Sequence, residues 1–209
     1  MKGLLLKDFY IVKDSLLALL LVYITVSVGM SFLVSPWVFI IIAAVMLSMM
    51  SASTITSDKT SQWDKFAVTL PVKKEQVVSS KYMMYAVLCL TGMVIGVILS
   101  SCIALFKGEF HFGEMLPYIL VGLMVCLVSA SVSIPLNFIF KEEKMASVSM
   151  ILSYSVTAVI FILVVLILNQ FIDVKSNFIL VCAGGAIIGI ILFFLSWLAA
   201  RKYVLRCGV

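Results

Sequence analysis

The sequence predicts an all-α integral membrane protein with six transmembrane helices, and two observations carry that expectation. The first is composition. Of 209 residues, 64% are hydrophobic and 12% charged, against roughly 25% charged in a soluble domain, and the mean hydropathy is +1.24. The second is distribution: the charges are gathered into short polar stretches that separate long charge-free runs, each of a length that spans a bilayer.

The first 14 residues, MKGLLLKDFYIVKD, hold five charges. Leu5, Phe9, Val12 and Leu16 share one helical face while Lys7 and Asp14 point away. Lys2 and Lys13 sit at the margins, where long side chains can snorkel. The pattern predicts an amphipathic helix over 1–14 lying in the membrane interface. These charges, with no small-residue cleavage site after them, do not fit a cleavable signal peptide.

Ser15 to Ser57 is a run of 43 residues without a charge. About 20 residues cross the hydrocarbon core, so the run divides into two spans, 15–34 and 36–57. Ser35-Pro36-Trp37 is the natural hairpin: Pro36 suits a first helical turn and Trp37 an interfacial belt. Further spans are expected at 82–106, 115–140, 145–172 and 177–200. They are joined by polar links at 107–114, at Lys141-Glu142-Glu143-Lys144 and at 173–176. Six spans put both termini on one side. Thirteen of the fifteen lysines and arginines then share that side, with only Lys107 and Lys175 opposite. The positive-inside rule makes the termini and the 58–81 segment cytoplasmic. Topology thus accounts for the net charge of +5, which is no sign of nucleic-acid binding.

The 58–81 segment is the longest polar stretch. Trp63, Phe66, Ala67 and Leu70 fall on one face of a short helix. Thr60 and Ser61 stand at its expected N-cap, Asp64 completes a capping box with Ser61, and Pro71 stops the helix. A second helix can begin within 73–81 and run into the third span. Two roles fit this pattern: a helix lying on the lipid interface with Trp63 as anchor, or a helix that docks onto a partner.

Within the expected spans there is no aspartate, glutamate, lysine, arginine or histidine. Ion-coupled carriers place acids, histidine or arginine in the bilayer, so a self-powered carrier or charge-selective pore is disfavoured. Neutral groups such as Ser48, Ser129, Ser131, Asn137 and Thr157 fit helix–helix hydrogen bonding better than a substrate path. Gly92/Gly96 and Gly185/Gly189 form G-x-x-x-G pairs, expected to pack helices within the chain rather than form a dimer seam. Pro135 is expected to kink the fourth span. The five cysteines lack ligand spacing, and His111 has no catalytic or metal-binding partner in sequence. Neither a P-loop nor a hydrolase motif occurs, so no enzymatic activity, bound cofactor or metal is expected in this chain. Twelve methionines fit an adaptable cavity for hydrophobic cargo, or simple apolar filler.

The run Asp58-Lys59-Thr60-Ser61-Gln62-Trp63-Asp64-Lys65-Phe66-Ala67-Val68-Thr69-Leu70-Pro71-Val72, with Ser79-Ser80-Lys81-Tyr82 after it, resembles the corresponding segment of ABC-2 type transporter permeases. The small permeases that export phenol-soluble modulins and antimicrobial peptides are the most similar branch. The resemblance implies a permease subunit of an ATP-driven exporter in the bacterial cytoplasmic membrane, with ATP and Mg²⁺ held by separate ATPase subunits. It implies a second permease copy or homologue and an amphipathic peptide cargo, with lipids or hydrophobic drugs as alternatives. It makes 58–81 the carrier of a coupling helix: Trp63, Phe66 and Leu70 pack it, while Asp64, Lys65 and Thr69 border the ATPase contact. Lys141 and Glu142 match the second cytoplasmic contact. The short link before Asn177 departs from larger relatives, which carry a folded insertion there. The rival class is a non-transporting immunity or sensor subunit that binds a toxic peptide.

Overall fold

The computed structural model describes residues 2–63, 74–108, 112–139, 144–171 and 178–207. Among them are six long helices and no strand: α1 (Lys2–Met30), α2 (Val38–Thr60), α3 (Lys74–Lys107), α4 (Phe112–Ile139), α5 (Lys144–Phe171) and α6 (Phe178–Cys207). Among the described residues, four stretches are long and apolar enough to cross a membrane: Val38–Thr60, Glu75–Lys107, Gly113–Phe138 and Phe178–Tyr203. In α1, Gly3–Lys13 and Ser15–Met30 meet at a 51° bend and pass the same test as a pair. The bend falls where the interfacial helix was expected to turn into the first span. In α5, Ile151–Ile167 forms a shorter apolar stretch.

Two seams between helices are built on the glycine pairs. A Cβ on Gly92 would stand 2.8 Å from Ala43 O and 2.9 Å from Ala44 Cα, and one on Gly96 would stand 2.8 Å from Ile40 Cα. Backbone therefore meets backbone between α2 and α3, as small residues permit. Gly185 and Gly189 face Met124, bringing α6 onto α4. Both pairs pack helices within the chain, as expected. α1 lies against α2 and α3, and α5 rests mainly on α4.

Pro135 lies inside α4 and has no N–H for the Ser131 carbonyl one turn back. Ser196 Oγ of α6 donates to that carbonyl at 2.7 Å. Ser196 has one hydroxyl proton, so the 2.8 Å contact between Tyr82 Oη and Ser196 Oγ has Tyr82 as donor. The proline gap becomes a polar pin through α3, α6 and α4. At the far end of α3, Lys107 Nζ donates to the Ser31 carbonyl of the α1–α2 connection.

Three expectations are corrected. Spans ending at 34 and beginning at 36 leave an almost absent loop, whereas the α1–α2 connection covers 31–37. Trp37 is not an interfacial anchor: it is buried against Ile40 and Ala104, where its large apolar area stabilises the hairpin. The inner face of α1 is also rotated. Val12 is buried with Met84 and Leu88, flanked by Leu5 and Leu16, but Phe9 is half exposed while Asp8 is buried. Apolar contacts of Val12 and the buried ion pair of Asp8 together set which way α1 faces.

Candidate functional site: the anchored roots of the polar segment

The two helices flanking the polar segment extend into it. α2 continues to Thr60 and α3 begins at Lys74, so Asp58 and Lys81 are helical and not loop residues. Thr60 and Ser61 close α2, while the helix they were expected to cap, from Asp64 on, lies outside the described residues. Thr60 Oγ1 donates to the Thr56 and Ser57 carbonyls at 3.1 and 3.0 Å, and Ser61 Oγ donates to Ser57 O at 2.8 Å. Ser61 is the C-cap, and the next residue, Gln62, takes φ 52°. This left-handed turn is the common way to end a helix. The hydroxyls add second hydrogen bonds to carbonyls in the last turn of α2, where Ser57 O also accepts the Ser61 backbone N–H at 3.0 Å.

Asp58 and Lys81 are buried, and they meet. Lys81 Nζ lies 2.6 Å from Asp58 Oδ2 and 2.8 Å from Asp8 Oδ1, with Thr54 Oγ1 at 3.2 Å. An ammonium has three protons, and these three acceptors match them. Lys7 Nζ adds a fourth charge, 2.5 Å from Asp58 Oδ1 and 3.6 Å from Asp8 Oδ1. The cluster holds two positive and two negative groups contributed by α1, α2 and α3. Burial of charges is tolerated only when they are paired and hydrogen-bonded. Asp58, which receives one lysine on each oxygen, is its centre.

Two further contacts extend the site. The Lys7 ammonium sits 4.2 Å from the centroid of the Trp63 ring, a cation–π contact. Lys59 Nζ donates to the carbonyl of Asn137 near the end of α4, four residues before Lys141. The roots of both segments expected to face a partner are thereby joined.

Of the residues expected to dock, Trp63 is described and half-buried, facing Lys7. Asp64, Lys65, Phe66, Thr69, Leu70, Lys141 and Glu142 lie outside the described residues. Sequence reasoning missed Lys7, Asp8 and Thr54 as parts of the site. The available signal was that Asp58 and Lys81 are the charges bordering two charge-free runs, with an acid on the N-terminal helix to match the second lysine.

The model of the ABC-2 family transporter protein matches residues 3–204. The chain belongs to the ABC-2 transporter family. An ABC-2 member is a membrane-embedded, multi-pass permease subunit of an ABC transporter, a transport component that works with an ABC ATPase and often as a dimer. No curated protein and no solved structure matches the chain.

Proposed function

We propose that this permease forms half of the membrane domain of an exporter for amphipathic or hydrophobic cargo, with peptides the leading class. Six spans place both termini and the 58–81 segment in the cytoplasm of a bacterial cell. The partner ATPase holds ATP and Mg²⁺, and a second permease, identical or homologous, completes the substrate path. The 58–81 segment docks on the ATPase through Phe66 and Leu70, with Trp63 at its root and Asp64, Lys65 and Thr69 around the contact. Lys141 and Glu142 form the second contact. Closure of the ATPase pair moves the segment, and the bundle alternates between inward- and outward-open forms.

The observation that supports this reading is the 2.6 Å pair between Asp58 and Lys81. A surface-lying loop has no need of buried charges at both roots. A lever does, because displacement of the segment must be passed to α2 and α3 without loss. The cargo class follows from the apolar and neutral-hydroxyl character of the spans.

The test is co-purification of a tagged permease with the ATPase in mild detergent. Phe66→Asp should abolish the association and cargo export while the protein still accumulates in the membrane. Undiminished ATPase binding and export in that variant would sink the docking reading. A wild-type permease that never brings down an ATPase points instead to the non-transporting class.

A further inference from the structure

An open cavity of 590 Å³ lies between α3 and α6. Tyr82, Met83 and Ala86 of α3 and Phe193 and Phe194 of α6 make its apolar walls, and Glu75 and Arg201 stand at one end. Trp197 links wall to mouth. Its Nε1 donates to Ser79 Oγ at 3.2 Å, and the Arg201 guanidinium lies 5.2 Å from its ring centroid. Arg201 and Glu75 form an ion pair whose side chains keep 35% and 30% exposure.

We propose that this groove binds one aminophospholipid, its acyl chain along the apolar walls and its zwitterionic headgroup on the Glu75–Arg201 pair. Two properties select that occupant. The walls made by Tyr82, Met83, Ala86, Phe193 and Phe194 are apolar and lie next to the charged mouth, the arrangement of an acyl chain beneath its headgroup. The mouth carries one positive and one negative group side by side. A guanidinium has five donors and a carboxylate about four acceptor sites, so each keeps capacity beyond the pair. Arg201 is suited to a phosphate and Glu75 to an ammonium, and an anionic headgroup without an amine would meet Glu75 unmatched. The inference rests on the membrane placement of α3 and α6, not on ATPase docking or on the cargo.

The test uses the full-length chain in nanodiscs of equal phosphatidylethanolamine and phosphatidylglycerol. Each lipid is supplied in turn with a photoreactive diazirine in mid-chain, and cross-links are mapped by mass spectrometry. The ethanolamine probe should label peptides carrying Met83 and Phe193 at least about fivefold more than the glycerol probe, the scale expected of a charge-assisted contact. Ala86→Trp, which fills the groove, should remove that labelling, and Glu75→Gln, which removes the partner of the ammonium, should level the two probes. In case Ala86→Trp does not accumulate, competition on the wild-type chain gives the same answer: unlabelled phosphatidylethanolamine should reduce labelling and phosphatidylglycerol should not. Equal labelling by both probes, absence of cross-links in the groove, or displacement of the lipid by a helical amphipathic peptide would each overturn the proposal.

Discussion

Lys81 Nζ and Asp58 Oδ2 stand 2.6 Å apart, joining residues 23 positions apart in sequence at the base of the segment between α2 and α3. Each also has a second partner of opposite charge, Asp8 and Lys7 respectively. The cluster therefore behaves as a unit. Removing one member leaves the rest unbalanced in a buried site.

Lys81→Met leaves two aspartates facing one lysine. Loss of one partner from a buried pair costs about 3–5 kcal/mol, and for a chain of this size about 2–4 °C of melting temperature per kcal/mol. A drop on the order of 10 °C in a detergent thermal-shift assay is expected. An unchanged midpoint would mean that the cluster does not hold the three helices together.

Exchanging the charges, Asp58→Lys together with Lys81→Asp, should fail to restore stability. In an isolated pair the exchange conserves the attraction. Here it puts a lysine beside Lys7 and an aspartate beside Asp8, so two like-charge contacts replace two favourable ones. Membrane accumulation of the double variant should be no better than that of either single one.

Ser196→Ala removes the donor that serves the Ser131 carbonyl, at a cost of about 1–2 kcal/mol. Pro135→Ala restores an N–H to that carbonyl from within α4. The double variant should accordingly be more stable than Ser196→Ala alone. Simple additivity in thermal unfolding would show that the Ser196 hydroxyl does not compensate the proline.

The two glycine seams should respond differently to alanine. At Gly96 the new Cβ meets the Ile40 backbone at 2.8 Å, which cannot yield without moving a helix, so a loss of about 1–3 kcal/mol is expected. At Gly185 the nearest atom is Met124 Sδ at 2.6 Å, on a flexible side chain that can turn aside. That substitution should cost less than about 1 kcal/mol, helped by the helix propensity of alanine.

Orientation can be checked with Gly108→Cys and Ser61→Cys on a background without other accessible thiols. On intact cells a membrane-impermeant maleimide should label position 108 and spare position 61. The reverse pattern would refute the cytoplasmic placement of the 58–81 segment.

The positions of the helices were legible because charge-free runs announce themselves, and the glycine spacing at 92/96 and 185/189 pointed to the seams that exist. The charge cluster was hidden for a definite reason. A charge at the edge of an apolar run has the same local pattern whether it lies in solvent or turns inward to a partner far away in sequence. Only the tertiary encounter of Asp8 with Lys81 decides between them. The same encounter, together with the apolar contacts of Val12, turns Phe9 outward, which an apolar-face count assigns inward. Trp37 was misjudged similarly, since a tryptophan beside a hairpin proline suits either the lipid interface or a tight helix junction.

The order in which a chain is synthesised gives the cluster a further consequence. Chains grow from the N-terminus and fold progressively, so Lys7, Asp8 and Asp58 are present before Lys81 exists. Until α3 emerges, the first two helices carry an uncompensated negative charge at the place where they should pack, and the α1–α2 hairpin has reason to stay loosely associated. Arrival of Lys81 neutralises the site and fastens three helices in one event. A chain truncated between Thr60 and Lys81 would carry that mismatch permanently.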